Sequence, residues 1–300
     1  MNARKILLLS LLLVAGLSGL SGLSGCNKNA NEVLTADEQR HNVLIQTREA
    51  SYSVFPDTDD ANKLNDPTML DAMHAETANG SAFGVRSDGL VFTNVHVIEG
   101  TNYCTGRALE PIPGHPPPSA EDIAREEGRQ KEESLRSEGK SETHCLFVNQ
   151  SFTKVYRVRL VKLDKVHDVA LMCIEKSDGA LPHLKLAPEG SFKEGYEVLT
   201  IGAPLGNTNM MTLGYLSNLD YVADEKETGK KGVRKIQFSA HILPGNSGGP
   251  LVSVATGKIV GQVVAIIALA GGRIATGMSY ANPVEDLRAN MADAPACNKK

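Results

Sequence analysis

The sequence contains no tryptophan, and aromatic residues make up only 5% of its 300 residues. It therefore has few side chains that could stack on nucleic-acid bases. A basic excess is missing as well, because 31 Lys and Arg stand against 35 Asp and Glu, for a formal charge of −4. Without a basic field, a nucleic-acid partner is not expected. The remaining composition, 41% hydrophobic and 22% charged, is typical of a globular domain.

Long hydrophobic runs are also missing. The most apolar stretch, 259–269, is too short to cross a bilayer as a helix and reads as adjoining buried strands. The N-terminal run, from Ile6 to about Gly16, is equally short and follows Arg4 and Lys5. A basic head, a short apolar run and small residues after it are typical of a secretory signal.

Three Leu-Ser-Gly triplets follow this run and end at Cys26. The last triplet and this cysteine resemble the bacterial lipobox, which implies removal of residues 1–25 and acylation of Cys26. A plain signal peptide with a coincidental cysteine is the alternative. The lipobox implies an extracytoplasmic protein anchored in a membrane. In a Gram-negative organism the periplasmic side of the outer membrane is favoured, because Asn27 is not the aspartate associated with inner-membrane retention.

The residue pattern of the rest of the chain changes twice. Residues 26–50 are polar and indicate a tether, with a helix near 35–48 and then a strand near 51–55. From Ser81 onward, short β-branched runs alternate with Gly-rich turns, which predicts an all-β barrel or sandwich. Residues 105–144 interrupt that pattern with prolines and a charged stretch. Its predicted helix has no apolar stripe and is therefore expected in solvent.

The five cysteines need separate interpretations. Cys104 and Cys145 bracket the charged insertion, which favours a disulfide at its base over two free thiols. His144 beside Cys145 has no CxxC or HxxxH partner, so no metal is expected. Cys173 alternates into a predicted strand as a buried apolar side chain, and the sequence leaves Cys297 undecided.

One serine lies in a distinctive glycine frame, Pro244-Gly245-Asn246-Ser247-Gly248-Gly249-Pro250. A β run follows it, so the strand-to-helix turn of α/β hydrolases does not fit. Glycines allow successive N–H groups to converge on one point. We expect the backbone of Gly245 and Ser247 to form an oxyanion hole, each donor contributing ~3–4 kcal/mol to a tetrahedral intermediate.

A serine nucleophile needs a base and an acid to orient that base. Among eight histidines, only His96 has a convincing frame, at the end of the second strand of a predicted hairpin. Asp168 directly precedes a buried strand, and Asp164 is a rival acid four residues upstream. His167 is expected on the surface. The order His, Asp, Ser is that of chymotrypsin.

These residues resemble the trypsin-like serine proteases, specifically the bacterial HtrA branch, over about Gly80 to Leu287. The motifs are Ser-Asp-Gly-x-x-x-Thr-Asn-x-His-Val at 87–97, Asp-Val-Ala-Leu at 168–171 and Pro-Gly-Asn-Ser-Gly-Gly-Pro-Leu at 244–251. The resemblance implies two six-stranded β-barrels, 51–176 with the insertion and 177–290, followed by a tail, 291–300. It implies that Ser247 attacks a peptide carbonyl, His96 transfers the proton and Asp168 orients His96.

The same resemblance implies protein or peptide substrates, no cofactor, no metal and a trimer as one possible oligomer. Asn246 replaces the aspartate of digestive relatives, so activation by N-terminal clipping is not expected. A pocket of His241, Ile242, Val263 and Val264 would favour a small or medium apolar residue before the cleaved bond. No PDZ domain is expected after the barrels. The alternative function is a noncatalytic binding or chaperone lipoprotein on this scaffold.

Overall fold

The fold is given by a computed structural model that describes residues 35–56, 80–99, 145–151, 153–175, 179–204, 209–223, 232–269 and 273–297. Cys26, Cys104 and the insertion at 105–144 lie outside these ranges, so the predictions for them are not addressed by the structure.

The first half of the chain forms a closed barrel of six strands. Its strands pair in the order β1-β2-β3-β6-β5-β4, each antiparallel to its neighbours, with β1 closing on β4. The elements are α1 (Ala36–Glu49), β1 (Ser51–Pro56), β2 (Gly80–Gly84), β3 (Leu90–Thr93), α2 (Val95–Glu99), β4 (Cys145–Asn149), β5 (Val155–Asp164) and β6 (Val169–Ile174).

The second half repeats the architecture. Its strands pair in the order β10-β11-β12-β9-β8-β7, again antiparallel and closed. The elements are β7 (Glu197–Gly202), β8 (Met210–Ala223), β9 (Val233–Phe238), β10 (Pro250–Ser253), β11 (Ile259–Leu269), β12 (Arg273–Pro283) and α3 (Val284–Met291). The predicted fold class, all-β with two six-stranded barrels, is confirmed.

The burial of the strands explains why short apolar runs are enough to form the two barrels. Every residue of β3 and of β6 is buried, since one face fills the barrel and the other packs against neighbouring elements. One cluster fills the first barrel, with Tyr52 and Phe147, and another fills the second, with Ile236 and Val260. A third cluster joins the barrels and contains Phe83, Phe92, Leu171, Leu199, Ile201 and Val252. Burial of each large side chain contributes about 1.5–3 kcal/mol.

The segment interpreted as a tether is in part folded. Its second half is α1, which buries Val43 and Thr47. Thr47 Oγ1 donates to Val43 O at 2.7 Å, and Ser51 Oγ donates to Thr47 O at 2.7 Å. The chain then enters β1 directly. The predicted helix near 35–48 and strand near 51–55 therefore correspond to α1 and β1.

Cys173 is buried on a strand, as predicted, and it is also disulfide-bonded. Cys173 on β6 forms a disulfide with Cys297, with 5.3 Å between the Cα atoms. The chain after α3 returns to the first barrel, where Arg86 donates to Ala294 O at 3.2 Å and Asp88 Oδ2 accepts from Cys297 N at 3.0 Å. Cys145 is also disulfide-bonded, but the predicted pairing with Cys104 falls outside the described residues.

None of the helices in the described ranges combines the length and the apolar character needed to span a membrane.

Candidate active site

His96 lies on the first turn of α2, immediately after β3, rather than at a strand end as predicted. The β3 strand is buried and pairs with β6, with Thr93 opposite Ala170. This pairing brings the residues that follow β3 next to the turn that precedes β6. The His96 side chain is 49% exposed, so one side of the imidazole is accessible to a ligand.

Asp168 occupies that turn and contacts His96 twice. Its Oδ1 accepts from the His96 backbone N at 3.0 Å, and its Oδ2 lies 2.6 Å from His96 Nδ1. The residue has a φ of 62°, a left-handed conformation that is uncommon outside glycine. A carboxylate only accepts hydrogen bonds, so this contact requires the proton on Nδ1, and in a neutral imidazole the lone pair is then on Nε2.

The rival acid, Asp164, belongs to a different pair. Its Oδ2 lies 2.7 Å from His167 Nδ1 and accepts from Asn290 Nδ2 at 2.9 Å. Burial raises the pKa of Asp164, but the hydrogen bonds from Asn290 and His167 outweigh it and lower this pKa to about 2. His167 is 37% exposed and is held by this carboxylate. Asp164 therefore orients His167, and Asp168 orients His96.

Two glycines of the Ser247 loop adopt positive φ angles, which glycine tolerates better than other residues. Gly245 has a φ of 104° and Gly248 a φ of 86°. Within the described ranges, the N–H groups of Gly245 and Ser247 donate to no protein acceptor. Two unpartnered N–H groups beside a serine are available for an oxyanion.

Close backbone approach brings this loop against the residues around His96. A Cβ at Gly248 would collide with Ser81 O and Thr93 Oγ1, and would lie 3.2 Å from Asn94 N. A Cβ at Gly80 would lie 2.6 Å from the Val97 methyls. Glycine at both positions lets the serine loop and β2 pack directly on the segment that carries the imidazole.

In this conformation the Ser247 hydroxyl is hydrogen-bonded to the backbone of β11. Ser247 Oγ donates to Val264 O at 2.9 Å, and among the residues that the structure describes no hydrogen bond joins it to His96. Rotation about the Cα–Cβ bond of Ser247 is the motion that would move the hydroxyl to another partner.

Sequence reasoning missed Ser81, which holds the serine loop from the first barrel. Ser81 N donates to Ser247 O at 2.8 Å, and Ser81 Oγ donates to Gly245 O at 2.7 Å. The same Oγ accepts from Ala203 N at 3.1 Å. Ser81 is completely buried. The only signal in the sequence was its position at the start of the first glycine-flanked β run.

The structure does not support the predicted substrate pocket as an open apolar wall. Val263 and Ile242 are buried in the core of the second barrel, at 0% and 3% exposure. Val264 is also buried, and its carbonyl accepts the Ser247 hydroxyl. His241 is exposed. All residues from Ile259 to Val264 are buried, so alternation along β11 could not tell a pocket face from a core face.

Across the described part of the chain, no three or more His, Cys, Asp and Glu side chains are grouped so that they could hold a metal ion.

Two closed antiparallel barrels, with a His–Asp pair on one and a glycine-framed serine loop on the other, define the two-barrel trypsin-like class of fold. The chain belongs to the trypsin-like peptidase domain family, whose description matches residues 80–261. A solved structure titled HtrA-type protease AlgW, with a tripeptide, shares this fold at a TM-score of 0.56 and 20% identity, covering 84% of this chain and 62% of that one.

Named relatives include HtrA proteases. The chain is 30% identical over 217 residues to serine protease HTRA1 of Xenopus laevis, covering 72% of this chain and 36% of that protein. It is 28% identical over 210 residues to HhoA of Synechocystis sp., covering 70% and 41%. Mitochondrial serine protease HTRA2 of Drosophila pseudoobscura pseudoobscura is 23% identical over 224 residues, covering 74% and 40%. The chain thus spans about two fifths of the length of these relatives.

Proposed function

We propose that the protein is a serine endopeptidase that hydrolyses peptide bonds in proteins or peptides through Ser247, His96 and Asp168. The observation that carries the proposal is the pair of contacts from the Asp168 carboxylate to His96, next to the serine loop. The Gly245 and Ser247 N–H groups of that loop have no acceptor among the residues that the structure describes. The HtrA proteases among its relatives support the same activity.

The proposed reaction begins when Ser247 Oγ leaves Val264 O and donates to His96 Nε2. Oγ attacks the substrate carbonyl carbon while His96 takes the hydroxyl proton, and the carbonyl oxygen becomes an oxyanion bound by the Gly245 and Ser247 N–H groups. The carbon–nitrogen bond then breaks, His96 returns the proton to the amine, and an acyl-enzyme remains. Water, deprotonated by His96, hydrolyses that ester and restores Ser247.

The alternative, a noncatalytic binding or chaperone protein, is favoured by one observation. The Ser247 hydroxyl donates to a backbone carbonyl and not to His96 in the described structure. A protein locked in that state would retain the scaffold and lack the nucleophile.

Hydrolysis of a fluorogenic casein by the purified chain and by Ser247→Ala separates the two functions. Ser191→Ala is a matched control, since Ser191 is an exposed turn serine whose Oγ donates to Pro188 O at 2.6 Å. We expect hydrolysis by the wild type and by Ser191→Ala, and none by Ser247→Ala. Equal turnover by all three proteins would assign the hydrolysis to a contaminant, and no turnover by any would favour the binding protein.

We further propose that the enzyme works in the bacterial envelope, anchored through an acylated Cys26, with the insertion closed by a Cys104–Cys145 disulfide. A role in envelope protein quality control and the trimer implied by the family resemblance belong to the same proposal. The lipobox pattern of Leu23 to Cys26 supports the anchor, because two or more acyl chains hold a protein stably on a membrane.

The anchor is tested by fractionation of cells fed a labelled fatty acid. Cys26→Ser should abolish the label and either release the protein from the membrane or leave it uncleaved. An unchanged lipid label would refute the anchor without affecting the proposed peptidase activity.

A further inference from the structure

Lys235 is buried inside the protein, which is unusual for a lysine. It lies on β9 of the second barrel and is only 1% exposed, although lysine is almost never fully buried without partners. Its Nζ donates to Asn282 Oδ1 and to His167 O, the latter at 3.4 Å. A polar group buried at this depth is tolerated when its hydrogen bonds are made inside the protein. These bonds reach from the second barrel to the turn that carries Asp168.

Asn282 continues the same network from β12. It is fully buried, and its Nδ2 donates to Gln262 Oε1 at 3.0 Å and to Asp168 O at 3.5 Å. From the first barrel, Asn94 Nδ2 donates to the same Asp168 carbonyl at 2.8 Å. The Asp168 carbonyl is therefore held from both barrels.

The two carbonyls contacted by this network flank one Cα atom. The peptide of His167 precedes the Asp168 Cα, and the Asp168 carbonyl follows it. Fixing both carbonyls fixes φ and ψ at Asp168, where φ is 62°. The left-handed region costs a residue other than glycine free energy, although aspartate tolerates it better than most, so contacts on both neighbouring carbonyls favour it here. The direction of the Asp168 side chain toward His96 depends on those two angles.

We propose that Lys235 and Asn282 are positioning residues, which hold the Asp168 backbone from the second barrel so that its carboxylate meets His96. Neither touches a substrate in this account. The role rests on the proposed peptidase function, because it matters for turnover only if His96 and Asp168 act in catalysis. It also makes the His–Asp geometry of one barrel depend on side chains of the other.

Two variants and one matched control test the proposal. Asn282→Asp keeps an acceptor for Lys235 and removes the amide that donates to Asp168 O. Lys235→Met removes the donor to His167 O and keeps a long side chain. Arg234→Met is the control, because it removes one positive charge from the neighbouring position of β9, where Arg234 forms exposed ion pairs with Asp220 and Glu285.

Three quantities are measured on the full chain: kcat and KM on a fluorogenic peptide, the proton NMR signal of His96 Nδ1, and the thermal unfolding midpoint. We expect kcat to fall about 10- to 100-fold in Asn282→Asp and Lys235→Met, since small displacements of catalytic groups have costs of that size. KM should not change, because no substrate contact is lost. The Nδ1 proton signal should move upfield in both variants, and Arg234→Met should match the wild type.

The proposal is overturned if kcat and the Nδ1 signal stay at their wild-type values while the unfolding midpoint falls, because the network would then be a structural link only. If Lys235→Met does not fold, the kcat and the Nδ1 signal of Asn282→Asp decide whether the proposal holds. If the wild type hydrolyses no peptide, the proposed function fails. The Nδ1 signal then decides the positioning role alone, a shift supporting it and an unchanged signal refuting it.

Discussion

The carboxylate of Asp168 holds His96 at two points, the backbone N–H at 3.0 Å and the ring Nδ1 at 2.6 Å. The first contact fixes where α2 begins relative to β6, and the second fixes the rotation of the imidazole. Together they leave Nε2 as the ring nitrogen that can take a proton. Because the side chain of Asp168 is only 13% exposed while that of His96 is 49% exposed, the carboxylate is shielded and the imidazole is accessible.

Replacement of Asp168 by asparagine should remove the contact that fixes the tautomer of His96. An amide can donate to Nδ1, which favours the tautomer with its proton on Nε2, and we expect kcat to fall by about 10⁴-fold. Asp164→Asn is the control, because Asp164 contacts His167 instead, and it should retain wild-type kcat. Steady-state kinetics on a fluorogenic peptide measures both. Equal losses in the two variants would contradict the assignment of the acid.

Ser81→Ala should impair the proposed oxyanion hole without replacing a residue of the proposed triad. The substitution removes the hydroxyl that joins Gly245 O to Ala203 N. The Gly245 carbonyl, which lies between the peptides of the two proposed oxyanion donors, then loses its anchor. We expect kcat to fall by roughly 10²-fold at unchanged KM. Rescue by Ser81→Thr, which keeps a hydroxyl, would support the mechanism. A kcat of wild-type size in Ser81→Ala would show that the loop keeps its conformation alone.

Much of this arrangement could be predicted from local sequence. The glycines around Ser247 and the acid directly before β6 are short motifs. The backbone conformation requires the glycines, and the proposed chemistry requires the acid. The β-branched runs predicted an all-β barrel or sandwich, since a buried strand needs only a few apolar residues. Family resemblance supplied the number of strands, which composition could not.

The supporting residues could not be predicted because their partners are remote in sequence. Ser81 acts on Gly245, 164 positions later, and Lys235 acts on His167, 68 positions earlier. The disulfide of Cys173 with Cys297 closes 124 residues. Nothing in a single sequence says that the polar tail after α3 returns to the first barrel. One available signal was overlooked, since pairing Cys104 with Cys145 and acylating Cys26 leaves two cysteines for one further disulfide.

The Cys173–Cys297 disulfide should stabilise the folded chain. A loop of this length corresponds to ~5 kcal/mol in the chain-entropy model, so Cys173→Ala with Cys297→Ala should lower the urea midpoint of unfolding. The double variant is preferable to a reductant, because Cys145 is also disulfide-bonded. Mass mapping of the non-reduced wild type should find one linked peptide pair containing both residues. Full alkylation of both thiols would contradict the pairing.

Acid should weaken the fold partly through Asp164. Its pKa is lowered to about 2 in the folded chain, whereas an unfolded aspartate has a pKa of about 4. A lowered carboxyl pKa contributes stability above about pH 4, and this contribution is lost as the pH falls toward 2. Asp164→Asn should therefore be less stable than the wild type at pH 6, with the difference closing on acidification. Urea midpoints at several pH values measure this.

Asp286 should change the pH dependence of folding stability in the direction opposite to that of Asp164. Burial raises its pKa, and the nearby His167, Lys235 and Arg234 only partly offset that rise. A raised carboxyl pKa means that the folded chain binds the proton more tightly than the unfolded chain, so ionisation of Asp286 at neutral pH costs stability. Asp286→Asn should be at least as stable as the wild type at pH 6. An Asp286→Asn variant that is clearly less stable than the wild type at pH 6 would contradict this prediction for Asp286.

The most direct test of the central claim is covalent labelling with a fluorophosphonate, followed by mass spectrometry of the digested protein. We expect one adduct, on Ser247, because only an activated serine hydroxyl attacks the phosphorus. His96→Ala should lose that adduct while keeping its thermal unfolding transition. An adduct on another residue, or no adduct on a folded wild-type chain, would contradict the claim that Ser247, His96 and Asp168 form a working triad.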